Sequence, residues 1–282
     1  MEGYTHALSG AAAWMAVTSS TGAALGAWEQ PPSVVIGGAI VCAGWAMWPD
    51  ADHADATIAH SLPPVTGILA RFVHRISGGH RHGTHSLIGV AVFTIIAALA
   101  AIPMVEVHGK SIPIGSAIVA ATCIAFASAS LGLNKGWARR GFAKDLIESS
   151  LGNWILAIGG AVTVTWLLDY RWTWLPACAA LGVFVHILGD CLTPQGVPWL
   201  WPWNPKPPQW WAQMPKPIRG MWHNNGYFRL PLLGTTQARR GKRRGFTLSR
   251  EHILAFVIGV YVLYVGAGVI AASTGSSLPY VH

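Results

Sequence analysis

Two stretches in a largely apolar chain of 282 residues set carboxylates close to histidines. The first begins at Pro49-Asp50-Ala51-Asp52-His53 and ends at Gly79-His80-Arg81-His82-Gly83-Thr84-His85-Ser86. The second closes a later apolar run as His186-Ile187-Leu188-Gly189-Asp190. Neutral imidazole and ionised carboxylate form the ligand set of Zn²⁺ and related divalent cations. Ionisable groups packed against membrane-spanning runs are costly, so their presence there points to function. The pattern predicts a divalent-metal centre of one or two ions, zinc first and manganese second, at the mouth of a helix bundle.

Spacing narrows the roles. His186 and Asp190 are four apart, which stacks them on one helix face. Asp50 and Asp52 follow a helix end. Either both turn toward one site, or Asp50 binds while Asp52 orients a histidine. His80, His82 and His85 cannot all be ligands on spacing alone, and His85, abutting the next apolar run, is the best placed. His6 stands at the lip of the first apolar run. The expected metal ligands are His6, Asp50, His53, His85, His186 and Asp190. The plainer alternatives are a helix-end histidine with an N-capping acid at 186–190, a polar loop after Pro49, an interfacial histidine at 85 and an ordinary near-terminal residue at His6. Asp52 and His80 are the candidate bases. Arg81 suits an anionic substrate or transition state, with a snorkelling interfacial arginine as the plainer alternative. His60, His74, His108, His223, His252 and His282 are background.

The elements that must position these groups are apolar. Only 11% of residues are charged and 52% are hydrophobic, whereas a soluble domain carries about 25% charged residues. The mean hydropathy of +0.41 agrees. A soluble globular enzyme is therefore excluded, and an all-α polytopic bundle of about seven spans is expected, with the whole of 1–282 as one integral-membrane domain. The runs fall at about 7–27, 33–48, 86–105, 114–133, 153–168, 174–190 and 253–272. Val65 to Ile76 reads as an interfacial amphipathic helix with Ile68, Leu69, Phe72 and Val73 on one face. A short link is expected around 106–111, and residues 134–150 are expected on the surface. Residues 191–252 form a long Pro- and Trp-rich loop ending in the basic cluster Arg239-Arg240-Gly241-Lys242-Arg243-Arg244. No secretory leader is expected. The four cysteines lack CxxC spacing and three lie in apolar runs, as small buried hydrophobes do.

With seven spans, loops 49–85, 134–152 and 191–252 share a side and hold 17 of the 19 Lys and Arg residues. The positive-inside rule places that side, and with it every acid–histidine motif, in the cytoplasm. The net charge of +8 then reports topology and contact with anionic membrane lipid. Nucleic acid is not an expected partner, and the sequence is silent on oligomeric state.

Four motifs in order carry a resemblance. They are Thr5-His6-Ala7-Leu8-Ser9, Pro49-Asp50-Ala51-Asp52-His53, His80-Arg81-His82-Gly83-Thr84-His85-Ser86 and the run from His186 through Asp190 to Pro198, with Trp201-Pro202 and Phe228-Arg229-Leu230-Pro231 beyond. The chain resembles the bacterial membrane-bound metal-dependent hydrolases, including the LexA-regulated inner-membrane type. It is distantly similar to zinc-dependent phospholipase C and P1-type nucleases. The resemblance implies an inner-membrane, metal-dependent hydrolase, and the distant one a phosphoester substrate. His6, Asp50, Asp52, His53, His80, Arg81, Thr84, His85, His186 and Asp190 match motif positions. His82 and the pair of spans at 114–168 are additions to the family pattern.

The expected function is hydrolysis of a phosphoester, either a small molecule or a lipid, by metal-activated water. Two alternatives stand beside it: a transporter or channel with an ion site, and a membrane scaffold with a structural metal. Transport sites usually sit near the midplane rather than at one face. The Trp-rich loop reads first as an interfacial anchor, and with a hydrolytic site as a rim, with Arg219 and Arg229 toward phosphate.

Overall fold

The computed structural model describes residues 1–53, 56–62, 64–107, 109–133, 150–167, 172–233 and 249–275. The fold is mostly helical. Its main helices are α1 (Gly3–Thr18), α2 (Pro32–Trp45), α3 (Val65–Ser77), α4 (Leu87–Ala100), α5 (Ile114–Ser130), α6 (Ser150–Leu167), α7 (Leu175–Cys191) and α8 (Arg250–Thr274). Between α4 and α5 lies an antiparallel hairpin of β1 (Met104–Val107) and β2 (Lys110–Pro113), where only a link was expected. The expected surface segment 134–150, apart from its last residue, and the cluster Arg239–Arg244 lie outside the described residues.

Each of the seven apolar runs contains a helix, but several helices are shorter than their runs. Among the described residues, two stretches, Pro32–Asp52 and Arg250–Thr274, are long and apolar enough to cross a membrane by length and composition. Helix α1 stops at Thr18 because Ser19 and Thr21 bond each other through their hydroxyls, an alternative to helical bonding. The amides of Leu25, Trp28 and Gln30 then fold back onto the carbonyls of Ala16, Val17 and Thr18, at 2.7, 2.9 and 2.9 Å. Helix α3 covers the expected amphipathic stretch. Its expected common face is divided: Val73 is buried with Ala70, while Ile68 and Phe72 are exposed with Val65 and Ile76.

Helix α2 is the central post, packed by α1, α5 and α7, and most of its residues are buried. Two glycines set the approach. A Cβ on Gly10 of α1 would lie 2.6 Å from the Cys42 carbonyl oxygen, and one on Gly182 of α7 would lie 2.9 Å from the same atom. Both helices therefore lean on one turn of α2. One helical turn away from these contacts, His6, Ala46 and His186 meet.

Candidate metal centre

Helix α2 ends at Trp45 and the chain tightens into a 3-10 turn, Trp48–Asp52, containing Pro49. That turn delivers Asp50 and Asp52. Helix α3 closes in Gly78 at φ 82, a left-handed cap that suits glycine. The chain then runs through His80 and Arg81 into a second 3-10 turn, Gly83–His85. Ser86 caps α4 by accepting the Gly89 amide. His85 is thus fixed between a tight turn and a capped helix.

Five of the six expected ligands converge, His53 being the exception. His6, His85, His186 and Asp190 have almost no exposed surface. His85 Nε2 lies 3.7 Å from Asp50 Oδ1 and 3.5 Å from Asp190 Oδ2. His186 Nε2 lies 3.7 Å from Asp50 Oδ1 and 3.8 Å from Asp190 Oδ2. His6 Nε2 is 3.3 Å from Asp190 Oδ1, and its ring stacks on that of His186 at 3.8 Å. Among the described residues, three groups offer ligand atoms within 4.8 Å of one another: His6–Asp50–His186, Asp50–His80–His85 and His85–His186–Asp190. His53 belongs to none of the three and packs its ring edge-to-face against His80 at 4.7 Å.

Hydrogen bonds behind the centre aim these rings. His186 Nδ1 lies 2.6 Å from the Ala46 carbonyl oxygen, which only accepts, so Nδ1 carries the proton and Nε2 turns a lone pair inward. Asp52 is fully buried and its oxygens are all engaged. Oδ1 meets His80 Nδ1 at 2.7 Å. Oδ2 accepts from the Thr84 hydroxyl at 2.5 Å and the Arg81 amide at 3.1 Å, and lies 3.4 Å from His85 Nδ1. Of the three roles open to Asp52, sharing the site with Asp50, orienting a histidine or acting as base, orienting histidines is the one this bonding fits, since no oxygen is left to take a proton. Burial alone would lower the His85 pKa, but the Asp50 and Asp52 carboxylates beside it overcome that and raise it to about 9.

The donor set fits a divalent cation. Imidazole and carboxylate from four elements meet in a buried space, and Nδ1 of the buried His6 has no hydrogen-bond partner. The centre is not sealed. Asp50, with 22% of its side chain exposed, lines a cavity of about 240 Å³ together with Glu2, Tyr4, Met47, Ile58 and Ser130.

Arg81 has φ 60, a strained value for a non-glycine residue. Its guanidinium sits 2.9 Å from Asp190 Oδ2 and reaches the Thr193 hydroxyl and Gly196 carbonyl, each at 3.4 Å. The loop after α7 holds it from behind, since the Tyr227 hydroxyl donates to the Arg81 carbonyl at 2.9 Å. The α-ammonium of Met1 lies 2.7 Å from Asp190 Oδ1.

Other expectations change. Arg229 donates to the Gly220 and Pro194 carbonyls at 2.7 and 2.8 Å, and Arg219 to the Ala212 carbonyl at 3.3 Å. Both therefore brace the loop rather than face the centre. Sequence reasoning also passed over Glu251 and Tyr227. Glu251 is buried and takes the Glu2 amide and the Thr5 hydroxyl, tying the start of α8 to the residue beside His6. Its signal was a carboxylate abutting an apolar run. Tyr227 carried none beyond its place before Phe228.

Fold and site define a helical bundle built around a buried histidine–aspartate centre. The model of the YdjM inner membrane protein family matches residues 1–274, and the chain belongs to that family. It is thus a member of a family of inner-membrane proteins. No curated protein and no solved structure matches it.

Proposed function

We propose that the protein is a metal-dependent phosphoester hydrolase of the inner membrane. The observation that carries the reading is the half-open character of the centre. His85, His186 and Asp190 are enclosed, yet Asp50 faces a cavity. A structural metal site is closed by protein ligands, whereas a catalytic one keeps a position open. A divalent cation held by His85, His186 and Asp190, with His6 and Asp50 alongside, would generate a nucleophile from water at neutral pH and polarise a phosphoryl oxygen.

The chain's own residues supply the rest. Asp52 holds His80 by Nδ1, leaving Nε2 to take and return a proton, with 34% of the side chain open to solvent. Arg81 is held beside Asp190 at the edge of the centre, where its guanidinium meets an anion. We propose seven crossings with the N-terminus and the centre on the cytoplasmic side. The placement of 17 of 19 basic residues on one set of loops supports it.

The test is metal analysis of purified wild type beside Asp190→Ala, followed by turnover of bis(p-nitrophenyl) phosphate and of phospholipids with Zn²⁺ or Mn²⁺. Wild type should carry one ion and turn over substrate, and the variant should do neither. Two ions per chain would make His80 a ligand. Equal turnover by both proteins would shift the reading to a structural metal.

A further inference from the structure

A second cavity, of about 220 Å³, lies between α3 and α4. Its walls are almost wholly apolar: Leu69, Phe72 and Ile76 from α3, and Ile88, Val92 and Ile96 from α4. Trp48 and Phe93, both buried, line it from the core side, and Trp201 of the long loop also contributes. Phe72, Ile76, Val92 and Ile96 are each more than a third exposed, so the slot opens on the outer surface of the bundle. Its polar end is Gly83-Thr84. The Thr84 hydroxyl bonds Asp52 and lies 3.0 Å from His85 Nδ1. The slot therefore leads from exposed hydrocarbon to Thr84, whose partners Asp52 and His85 belong to the wall of the centre, and the Arg81 amide donates to the same Asp52 oxygen as the Thr84 hydroxyl.

We infer that the α3–α4 slot holds a hydrocarbon chain of the substrate, which is an anionic lipid whose phosphoester head reaches the centre. The inference rests on the hydrolase reading and adds to it the class of substrate. An anionic amphiphile matches the protein along this one path, with alkyl chain against Ile96, Val92 and Ile88 and negative head toward Arg81 and the cation. A water-soluble phosphoester would leave the slot unused, and the membrane supplies chains at the slot's mouth. Burying alkyl groups there contributes binding in proportion to the apolar area removed from water.

Val92→Trp places an indole in the slot, and Ile95→Trp, on the outward face of α4 with Ile95 57% exposed, is its control. The proteins are compared on a long-chain phosphatidic acid and on its dibutyryl analogue. The ratio of kcat/KM for long over short chain should fall at least tenfold in Val92→Trp and hold in Ile95→Trp. An unchanged ratio in Val92→Trp overturns the inference. A second readout needs no turnover. In nanodiscs of phosphatidylethanolamine and phosphatidylglycerol, phosphatidic acid with a diazirine at the chain end should label Trp48 or Phe93 at the slot floor. That label should be lost in Val92→Trp while labelling of Leu99 on the lipid-facing side persists. Floor labelling without hydrolysis by wild type would retain the slot and discard the hydrolase reading. Labelling of the outer face alone overturns the slot.

Discussion

His85 and His186 face each other Nε2 to Nε2 at 3.2 Å in the buried centre. Because His186 Nδ1 donates to the Ala46 carbonyl, its Nε2 can only accept, so the proton between the rings belongs to His85. His85 Nδ1 lies against Thr84 and the Asp52 carboxylate. Both its nitrogens are thus held as donors, in line with a pKa of about 9. A cation would bind at Nε2, where this proton stands.

Metal uptake should therefore expel a proton. At pH 7, calorimetry in two buffers of different ionisation enthalpy should report about one proton released per ion, and affinity should fall about tenfold per unit of pH below 9. The metal-free protein has the opposite trend. A histidine whose folded pKa is raised contributes stability that is complete below its ordinary value, near 6.5, and lost as pH rises through about 9. Metal-free melting temperature should drop from pH 6.5 to 9, while the increment from added Zn²⁺ grows. Proton-free uptake at pH 7 would show that His85 is not a ligand.

Asp52 should act through the histidines it orients. Asp52→Asn keeps the shape but removes the charge that bonds His80 at 2.7 Å and flanks His85. Loss of such an orienting carboxylate costs about 10–100-fold in metal affinity. Competition against a chelator should show that loss, and the proton count at pH 7 should fall with it. Affinity within twofold of wild type would remove Asp52 from this role.

Arg81 should divide metal binding from turnover. Arg81→Ala should retain the ion, because no expected ligand is removed, and lose about 2–4 kcal/mol of transition-state stabilisation, the scale for one oxyanion donor. Metal analysis beside phosphoester turnover reads both. Metal loss in step with activity would make Arg81 a brace for Asp190 instead.

The site was more legible than the helices. His186 and Asp190 sit on one face because helical spacing requires it, and acid–histidine motifs beside apolar runs marked the rest. Periodicity could not show that His53 would turn to the ring of His80. It also overran the ends of α1 and α4. Ser19 and Thr21 divert the chain by local hydroxyl bonds, and after Ala101 and Ile102 turn the chain, the β1–β2 hairpin takes over. The roles of Arg219 and Arg229 depended on backbone carbonyls that become neighbours only in the folded loop.

The topology has a direct test, because all four native cysteines are buried and should stay silent toward a membrane-impermeant thiol reagent. Cysteines placed at Gly109 and at Gly241 should label from opposite sides, the first from outside and the second from the cytoplasm. Labelling of both from one side would refute seven crossings. Helix α2, which is largely buried within the bundle and could instead be re-entrant, is the element such a result would implicate.

The close approach of α7 to α2 should be as necessary to the centre as any ligand. A Cβ at Gly182 would stand 2.7 Å from Trp45 Cβ and 2.9 Å from the Cys42 carbonyl, so one helix must shift. His186 lies one turn further along α7, and its bond to the Ala46 carbonyl spans the same interface. Gly182→Ala should therefore cost about 1–3 kcal/mol as an overpacked core and lower metal occupancy as His186 is displaced. Gly259→Ala on α8 is the contrast. Its Cβ meets nothing within 4 Å, so it should gain the helical preference of alanine, about 0.5–1 kcal/mol, with metal content unchanged. Melting curves and zinc content of the two variants read both effects, and equal behaviour would show that the interface does not set the position of His186.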